Sequence, residues 1–263
     1  MRPALLALCL GLCLPLAVSA APVTATSDEV QLLALLNKER ARLGAPPFKL
    51  DAHLIQAARA HSKRMAQQGT ISHQFSGEAD PSKRMGQTGA RFTASGENVA
   101  VAGSVDKAHD GLMHSPPHYE NIKNAAYDRI GIGIVRSGKR VFVTEDFTHG
   151  VVEYNDEQFR GAVAGAINQR RRSGGGGDML VTPEPWLHQA ACAKSKDFDK
   201  LHQALPEAAE LLVFTASEPD KLPANLDKAA LKRDLRRMSL GVCYRPDPHY
   251  GYGSFWVIAA LYR

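Results

Sequence analysis

The sequence predicts a mixed α/β protein made of two related halves. Three observations carry that expectation. Helical apolar periodicity occupies the start of the chain, a glycine-spaced pair of strands follows near its middle, and fragments of this first half recur in the same order in the second. With 263 residues, 44% of them hydrophobic, the chain can fill one large core or two modest ones. A charged content of 22% lies near the globular average and argues against a mostly disordered polymer.

The opening residues 1–20 read as a secretory signal: Arg2, an apolar run over 4–18, then Val18-Ser19-Ala20 with the small residues a signal peptidase reads. The run is short for a membrane span, and cleavage is expected after Ala20 or Ala21. Neither Cys9 nor Cys13 follows a small residue, which argues against a lipid anchor, and no later segment approaches transmembrane length. The mature chain is therefore expected to be secreted or periplasmic. Removing Arg2 leaves 31 of the 32 basic residues against 27 acidic ones, a net charge near +4. That mild excess does not specify nucleic acid. The basic clusters Arg170-Arg171-Arg172 and 232–237 each fall on an expected helix and read as solvated faces. Only Cys192 and Cys243 remain after cleavage, which suggests one disulfide; no CxxC motif is present.

Taken in order, Thr26 or Ser27 is placed to cap a first helix, with Glu29 closing a capping box on Thr26. Val30, Leu32, Leu33, Leu36 and Leu43 recur at helical intervals, and Gly44 is a stop. After Pro46-Pro47 a second helix is expected from Asp51, with Leu54, Ala57, Ala58, His61 and Met65 on one stripe and Gly69 as its stop. Residues 70–96, rich in Ser, Gly and Thr, read as irregular. A third helix is expected over Val105 to Met113, ended by Pro116-Pro117. Then "DRIGIGIVRSGKRVFVTEDF" alternates Ile130, Ile132 and Ile134 with glycines, turns at Ser137-Gly138 and returns through Val141, Phe142 and Val143, which is a hairpin. Its glycines leave one face open to close approach by another element.

The second half echoes the first. "QAARAHSK" at Gln56 recurs as "QAACAKSK" at Gln189, Asn37 and Arg40 line up with Asn168 and Arg171, "FTAS" occurs at Phe92 and Phe214, and "RIGIGIV" has a counterpart in "RMSLGVC" from Arg237. Two units are expected, 28–150 and 155–263. The terminal "HYGYGSFW" is expected as an edge hairpin packing Phe255 and Trp256 into the second core, with a glycan or lipid groove as the alternative.

His73, Glu97, His118 and Glu145 stand out in the first unit. Two imidazoles and two carboxylates are donors that zinc accepts; the same set can hold water and act as general acid and base. The intervals of 24, 21 and 27 residues form no short metal motif. Ser72 and Ser115 sit near histidines, but no GxSxG elbow accompanies them. His114 and His118 are four residues apart with Pro116 and Pro117 between them, which excludes the helical HExxH geometry. The second unit has no histidine at the place of His73, no "HSPPH", and Ala259 or Ala260 near the place of Glu145.

The ordered words "SH", "GENVA", "SPPHYENI", "IGIGIV" and "VTEDF", over roughly residues 30–150, resemble the CAP superfamily of cysteine-rich secretory, antigen-five and pathogenesis-related-one proteins, and its bacterial secreted branch above all. The resemblance implies an α/β/α sandwich with a small mixed sheet, followed here by a second, degenerate CAP-like α/β domain. It implies a cleft lined by two histidines and acidic residues. His73, Glu97 and His118 match the family motifs and are the expected metal-binding and candidate catalytic residues. The eukaryotic branch takes a second Glu three residues after a Trp; here Leu112 stands at the Trp position and the count lands on Ser115. Glu145 is then expected to substitute from the neighbouring strand, with Asp110 and His114 as weaker candidates. Asn98 is expected to support the turn presenting Glu97, and Asn121 to brace the loop after His118. By the repeat, Cys192 takes the place of Arg59 and Cys243 that of Val135. In such a sandwich the helix packs on the strand, within reach of a disulfide.

The function expected from this reading is a binding module. Its cleft would hold a divalent metal, zinc or magnesium, or water, together with an envelope-derived or lipid-like ligand; no organic cofactor or nucleic acid is expected. One alternative is a metal-assisted hydrolase of peptide or cell-wall bonds, with Glu97 as base. Another is a structural or interaction protein with a vestigial cleft, which the missing second Glu favours over the enzyme.

Overall fold

The computed structural model describes residues 23–246 and 253–263; the expected signal segment and residues 247–252, which include the start of the aromatic stretch, lie outside the described residues. Helix α1 (Ser27–Arg42) starts in the expected capping box, and the Thr26 N–H donates to Glu29 Oε2 at 2.7 Å. A two-residue strand β1 (Lys49–Leu50) leads to α2 (Ala52–Gln68), which Asp51 caps and Gly69 ends with a left-handed φ of 71°. The hairpin of β3 (Arg129–Ser137) and β4 (Arg140–Gly150) forms as expected. Its glycines have a direct use. A Cβ on Gly131 would fall 2.1 Å from the Leu54 carbonyl carbon, and one on Gly133 2.2 Å from that of Ala58, so α2 lies against the bare backbone of β3.

The first sheet runs β1-β3-β4-β2, with β2 (Phe92–Ala102) at its edge. Helices α1, α4 (Val105–Met113) and α5 (Pro116–Lys123) cover one face, where Leu32, Leu36, Leu112 and Ile122 pack on Ile130, Ile132, Val143 and Phe147. Helices α2 and α3 (Pro81–Gln87) cover the other, through Leu54 with Met85 and Met65 with Phe142. The result is the expected α/β/α sandwich. The second half repeats it: α6 (Asp156–Ser173), β5 (Leu180–Val181), α7 (Pro185–Cys192), α8 (Phe198–Ala204), β6 (Glu210–Ala216), α9 (Ala224–Ala230), β7 (Arg237–Pro246) and β8 (Gly253–Tyr262) build a sheet of order β5-β7-β8-β6. Helices α6 and α9 lie on one face of it, α7 and α8 on the other.

One side chain recurs with all its partners. Arg40 is fully buried and donates to the carbonyls of Pro46, Ile122, Asn124 and Tyr127. Arg171, also buried, donates to those of Gly177, Ala230, Lys232 and Leu235. From Arg40 to Arg171 is a step of 131 residues, as is Pro46 to Gly177; the other three carbonyls each step by 108. Asn37 exchanges two hydrogen bonds with the Phe48 backbone, and Asn168 does the same with Met179, again 131 residues on. Side-chain fixtures on matched backbone atoms are hard to obtain by compositional accident, so they carry the internal repeat further than the sequence fragments do.

Several expectations change. Arg171 is no solvated residue, because its rigid fork of donors serves the four backbone carbonyls that converge on it. Residues 232–236 are a loop rather than a helix, and two of their carbonyls are the ones Arg171 holds. The irregular stretch 70–96 contains α3 and the start of β2; its Ser and Gly content gives weak strand propensity, and pairing with β4 along its length makes the strand. Glu97 and Asn98 therefore sit in a strand, not a turn. Pro116 and Pro117 open α5 rather than only closing α4, and Asn121 lies on that helix. The "FTAS" match is out of register: Phe214 opposes Val257 and takes the place of Ala100, which opposes Val143. Strand β8 is interior rather than an edge, and Phe255 and Trp256 face opposite cores.

Cys192 and Cys243 form a disulfide with Cα atoms 5.0 Å apart, tying the end of α7 to β7. The helix is offset from its counterpart: a Cβ on Gly241, in the place of Gly133, would meet Leu187, whereas Gly133 itself meets Ala58. Closing a loop of this length stabilises by roughly 4 kcal/mol in the chain-entropy model. Reduction should lower urea-unfolding stability by about that amount. Arg171→Ala should cost about 3–5 kcal/mol, since it strands buried carbonyls; a loss below about 1 kcal/mol in urea titrations would show that water satisfies them instead.

Candidate functional site

The candidate site residues gather around β2, at the edge of the first sheet. Along β2 the pleat sends neighbouring side chains to opposite faces. Glu97 stands opposite Asp146 on the α2 face, and Asn98 opposite Glu145 on the α1 face. Gly96 precedes them for a steric reason: a Cβ there would lie 2.9 Å from both Asn121 Oδ1 and the Tyr127 hydroxyl.

His73 lies on the loop after α2. Buried His61 anchors that loop, with Nε2 at 2.7 Å from the Ser72 carbonyl and Nδ1 at 2.8 Å from Glu78 Oε1. Arg84 of α3 donates to the His73 carbonyl at 2.8 Å and to Glu97 Oε2. The other oxygen of Glu97 is 2.8 Å from His73 Nδ1. Both carboxylate oxygens are thereby committed, and the His73 side chain is 54% exposed. From the other layer, α5 brings His118. Its carbonyl accepts from Asn98 Nδ2 at 3.1 Å, while Asn121 Nδ2 donates to Glu97 O at 3.2 Å and Asn98 Oδ1 at 2.9 Å.

The electrostatics divide the two histidines. The hydrogen bond to Glu97 raises the pKa of His73 against the opposing effect of burial. Burial, and then the charge of His73, lower that of His118. Behind them Glu145 is wholly enclosed and accepts from Asn98 Nδ2 at 3.0 Å, its other oxygen having no hydrogen-bond partner among the described residues. Burial pushes its carboxyl up to about 7, against the Asn98 hydrogen bond. Asp146 is equally enclosed. Burial first, then the neighbouring charge of Glu97, raise its pKa well above the usual carboxylate range.

His73 and Glu97 are thus in contact, and His118 lies on α5 in the other layer, linked to Glu97 through Asn98 and Asn121. Glu145 occupies the far face of the sheet and bonds to Asn98 rather than to either imidazole. Asp110 and His114 pair with each other on the surface. Sequence reasoning missed Arg84, His61 and Asp146. For Asp146 the signal was present: in a strand reading "TED", the two acids must face opposite sides.

Residues 33–154 match the family model described as CAP, the cysteine-rich secretory protein family. These residues form a CAP domain. The chain is 31% identical over 121 residues to the uncharacterized protein YkwD of Bacillus subtilis (strain 168), covering 46% of this chain and 47% of that protein. It is 27% identical over 124 residues to the uncharacterized membrane protein YlbC of the same strain, covering 46% and 34%. The chain therefore spans less than half the length of these curated relatives. An extracellular protein containing a SCP domain from Bacillus anthracis str. Ames superposes with a TM-score of 0.39 at 25% identity, over 48% of this chain and 44% of that one. An outer surface protein from Borrelia burgdorferi gives a TM-score of 0.45 at 19% identity, over 49% and 96%. No helix among the described residues is long and apolar enough to cross a membrane.

The sheet registers place the CAP domain's buried polar group against the second sheet. Ile132 pairs with Glu145 as Leu240 pairs with Ala259, and Asn98 pairs with Glu145 as Leu212 pairs with Ala259. Glu97, Asn98, Glu145 and Asp146 of the CAP domain correspond to Leu211, Leu212, Ala259 and Ala260.

Because its folded pKa of about 7 lies above the ordinary 4.5, Glu145 contributes stability that is complete below pH 4.5 and is lost as pH rises through 7. Glu145→Gln should remove that slope. Relative to the parent it should gain about 3 kcal/mol between pH 4 and pH 8 in urea unfolding; parallel curves would mean that the carboxyl is not buried as described.

Proposed function

We propose that the CAP domain, over residues 28–150, is an exported binding module whose edge cleft takes a divalent metal and an envelope-derived or lipid-like ligand. Residues 155–263 are, in this reading, a degenerate second copy serving stability or recognition. The observation that carries it is the buried polar cluster of Glu97, Asn98, Glu145 and Asp146 behind an exposed imidazole. Leu211, Leu212, Ala259 and Ala260 fill the same places in the second sheet, so the architecture closes without these groups. Burying them disfavours folding, which supports a role other than packing. Export is supported by the signal-like residues 1–20.

Imidazole and carboxylate are the donor types that zinc accepts. Glu97 holds Nδ1 of His73, leaving Nε2 outward, as in a carboxylate-oriented histidine ligand. With both oxygens engaged by His73 and Arg84, Glu97 suits orientation better than ligation. Two nitrogen donors favour zinc over magnesium. A bound ion would polarise a ligand oxygen; the chain's own part is to aim His73, supply His118 from α5 and keep water from the Glu145 side. Opposite pKa shifts of His73 and His118 favour, as a second reading, acid–base hydrolysis of peptide or cell-wall bonds.

Zinc titration of the oxidised mature protein tests the metal. One ion per chain is expected at pH 7.5, lost toward pH 5 as the imidazoles protonate. Affinity should fall more than about 10-fold in both His73→Ala and His118→Ala. Binding unchanged in both variants would refute the cleft as the site. Turnover of peptidoglycan fragments by the loaded protein would select the hydrolase over the binding module.

A further inference from the structure

A second group of side chains converges in the other half of the chain, where α7 meets β7. Asp156, His188, Cys192 and Cys243 each place one ligand atom within 4.8 Å of the other three. His188 and Cys192 are one helical turn apart and share a face of α7. His188 Nδ1 lies 2.7 Å from the Val242 carbonyl, so it carries the proton there. That leaves Nε2 as a lone-pair donor, 3.6 Å from Cys192 Sγ. Asp156 enters from the first turn of α6; its Oδ1 accepts the Tyr244 N–H at 2.8 Å, and its Oδ2 lies 3.9 Å from His188 Nδ1. A cavity of about 350 Å³, lined by Asp156, Arg160, Glu184 and His188, opens beside the cluster and gives it access to solvent.

Two thiolates, an imidazole nitrogen and a carboxylate oxygen make a four-ligand set for tetrahedral zinc. The Val242 carbonyl on Nδ1 and the Tyr244 amide on Oδ1 are the outer contacts that orient such ligands. We propose that this cluster is a redox-gated zinc site: a disulfide closes it when oxidised, and zinc occupies it when Cys192 and Cys243 are reduced. A dithiol donates two electrons and two protons to the S–S bond and leaves as its own disulfide, giving two cysteine thiols. Zinc then displaces both thiol protons and takes His188 Nε2 and Asp156 as its remaining ligands. Re-oxidation by a disulfide of the same class reverses each step and releases the ion. With zinc–sulfur bonds of about 2.3 Å, the sulfurs need separate only to about 3.8 Å. Either state thus ties α7 to β7, and the corner is held before the chain has been oxidised. This proposal does not depend on the cleft reading.

The test uses the full mature chain carrying His73→Ala and His118→Ala, which removes the imidazoles of the cleft. After reduction with a phosphine it should bind one zinc per chain, and cobalt in its place should give a thiolate charge-transfer band. The disulfide form should bind none. Adding His188→Ala, which leaves the disulfide able to form and so reports folding in the oxidised state, should weaken binding to the reduced chain more than 10-fold. Absence of zinc from the reduced chain, equal binding by both redox states, or unchanged affinity with His188→Ala would each overturn the proposal.

Discussion

The guanidinium of Arg40, buried among four backbone carbonyls, is the contact on which the geometry of the first half depends. It reaches the turn after α1, the end of α5 and the approach to β3. Those segments lie far apart in sequence and have backbone acceptors that no ladder satisfies. A planar fork with five donors can serve them together, whereas an ammonium cannot. Burial lowers the pKa of the Arg40 guanidinium, and the carbonyl dipoles offset the loss of water. Arg171 repeats the arrangement. What the two halves share most strictly is this solution to a hydrogen-bonding problem rather than a run of identical residues.

Around that shared fixture the halves diverge where packing permits. Helix α2 runs for 17 residues and covers Phe142 with Met65, while α7 runs for 8. Trp256, at the place of Phe142, is left partly buried, with Lys194 and Lys196 lying 5.9 and 5.1 Å from its ring. Helix α8 supplies Leu201 to the same core, and the Cys192–Cys243 bridge fixes the shortened helix to its strand. The second unit has exchanged helical cover for a covalent tie.

The exchange runs the other way at the sheet edge. The CAP domain retains four polar side chains where the second unit has two leucines and two alanines, and two of the four are enclosed acids whose proton affinity is raised by burial. They lie directly behind β2, the strand that carries Glu97 to His73 and, through Asn98 and Asn121, to α5. Rigid placement of one exposed imidazole therefore rests on groups that are unfavourable to bury, a pattern in which local stability yields to the needs of a site.

The sequence by itself determined the elements whose signals are local: the capping box at Thr26, the stop at Gly69, the glycine-spaced hairpin and the helix over Val105–Met113. It also determined the repeat in outline and, through the ordered motifs, singled out His73 and Glu97, whose contact the folded chain shows. Tertiary structure decided the rest. Strand β2 exists because β4 pairs with it, against the propensity of its own residues. Arg171 looked like one of three surface arginines because its acceptors come from other segments. Glu145 looked like a cleft ligand because motif order does not fix the face of a strand; the register with Asn98 does, and it turns Glu145 away from Glu97 while bringing Asp146 toward it. Local signals suffice where the partners are a few residues apart. Pleat, register and carbonyl capture are set by groups distant in sequence, and only the folded chain brings those together.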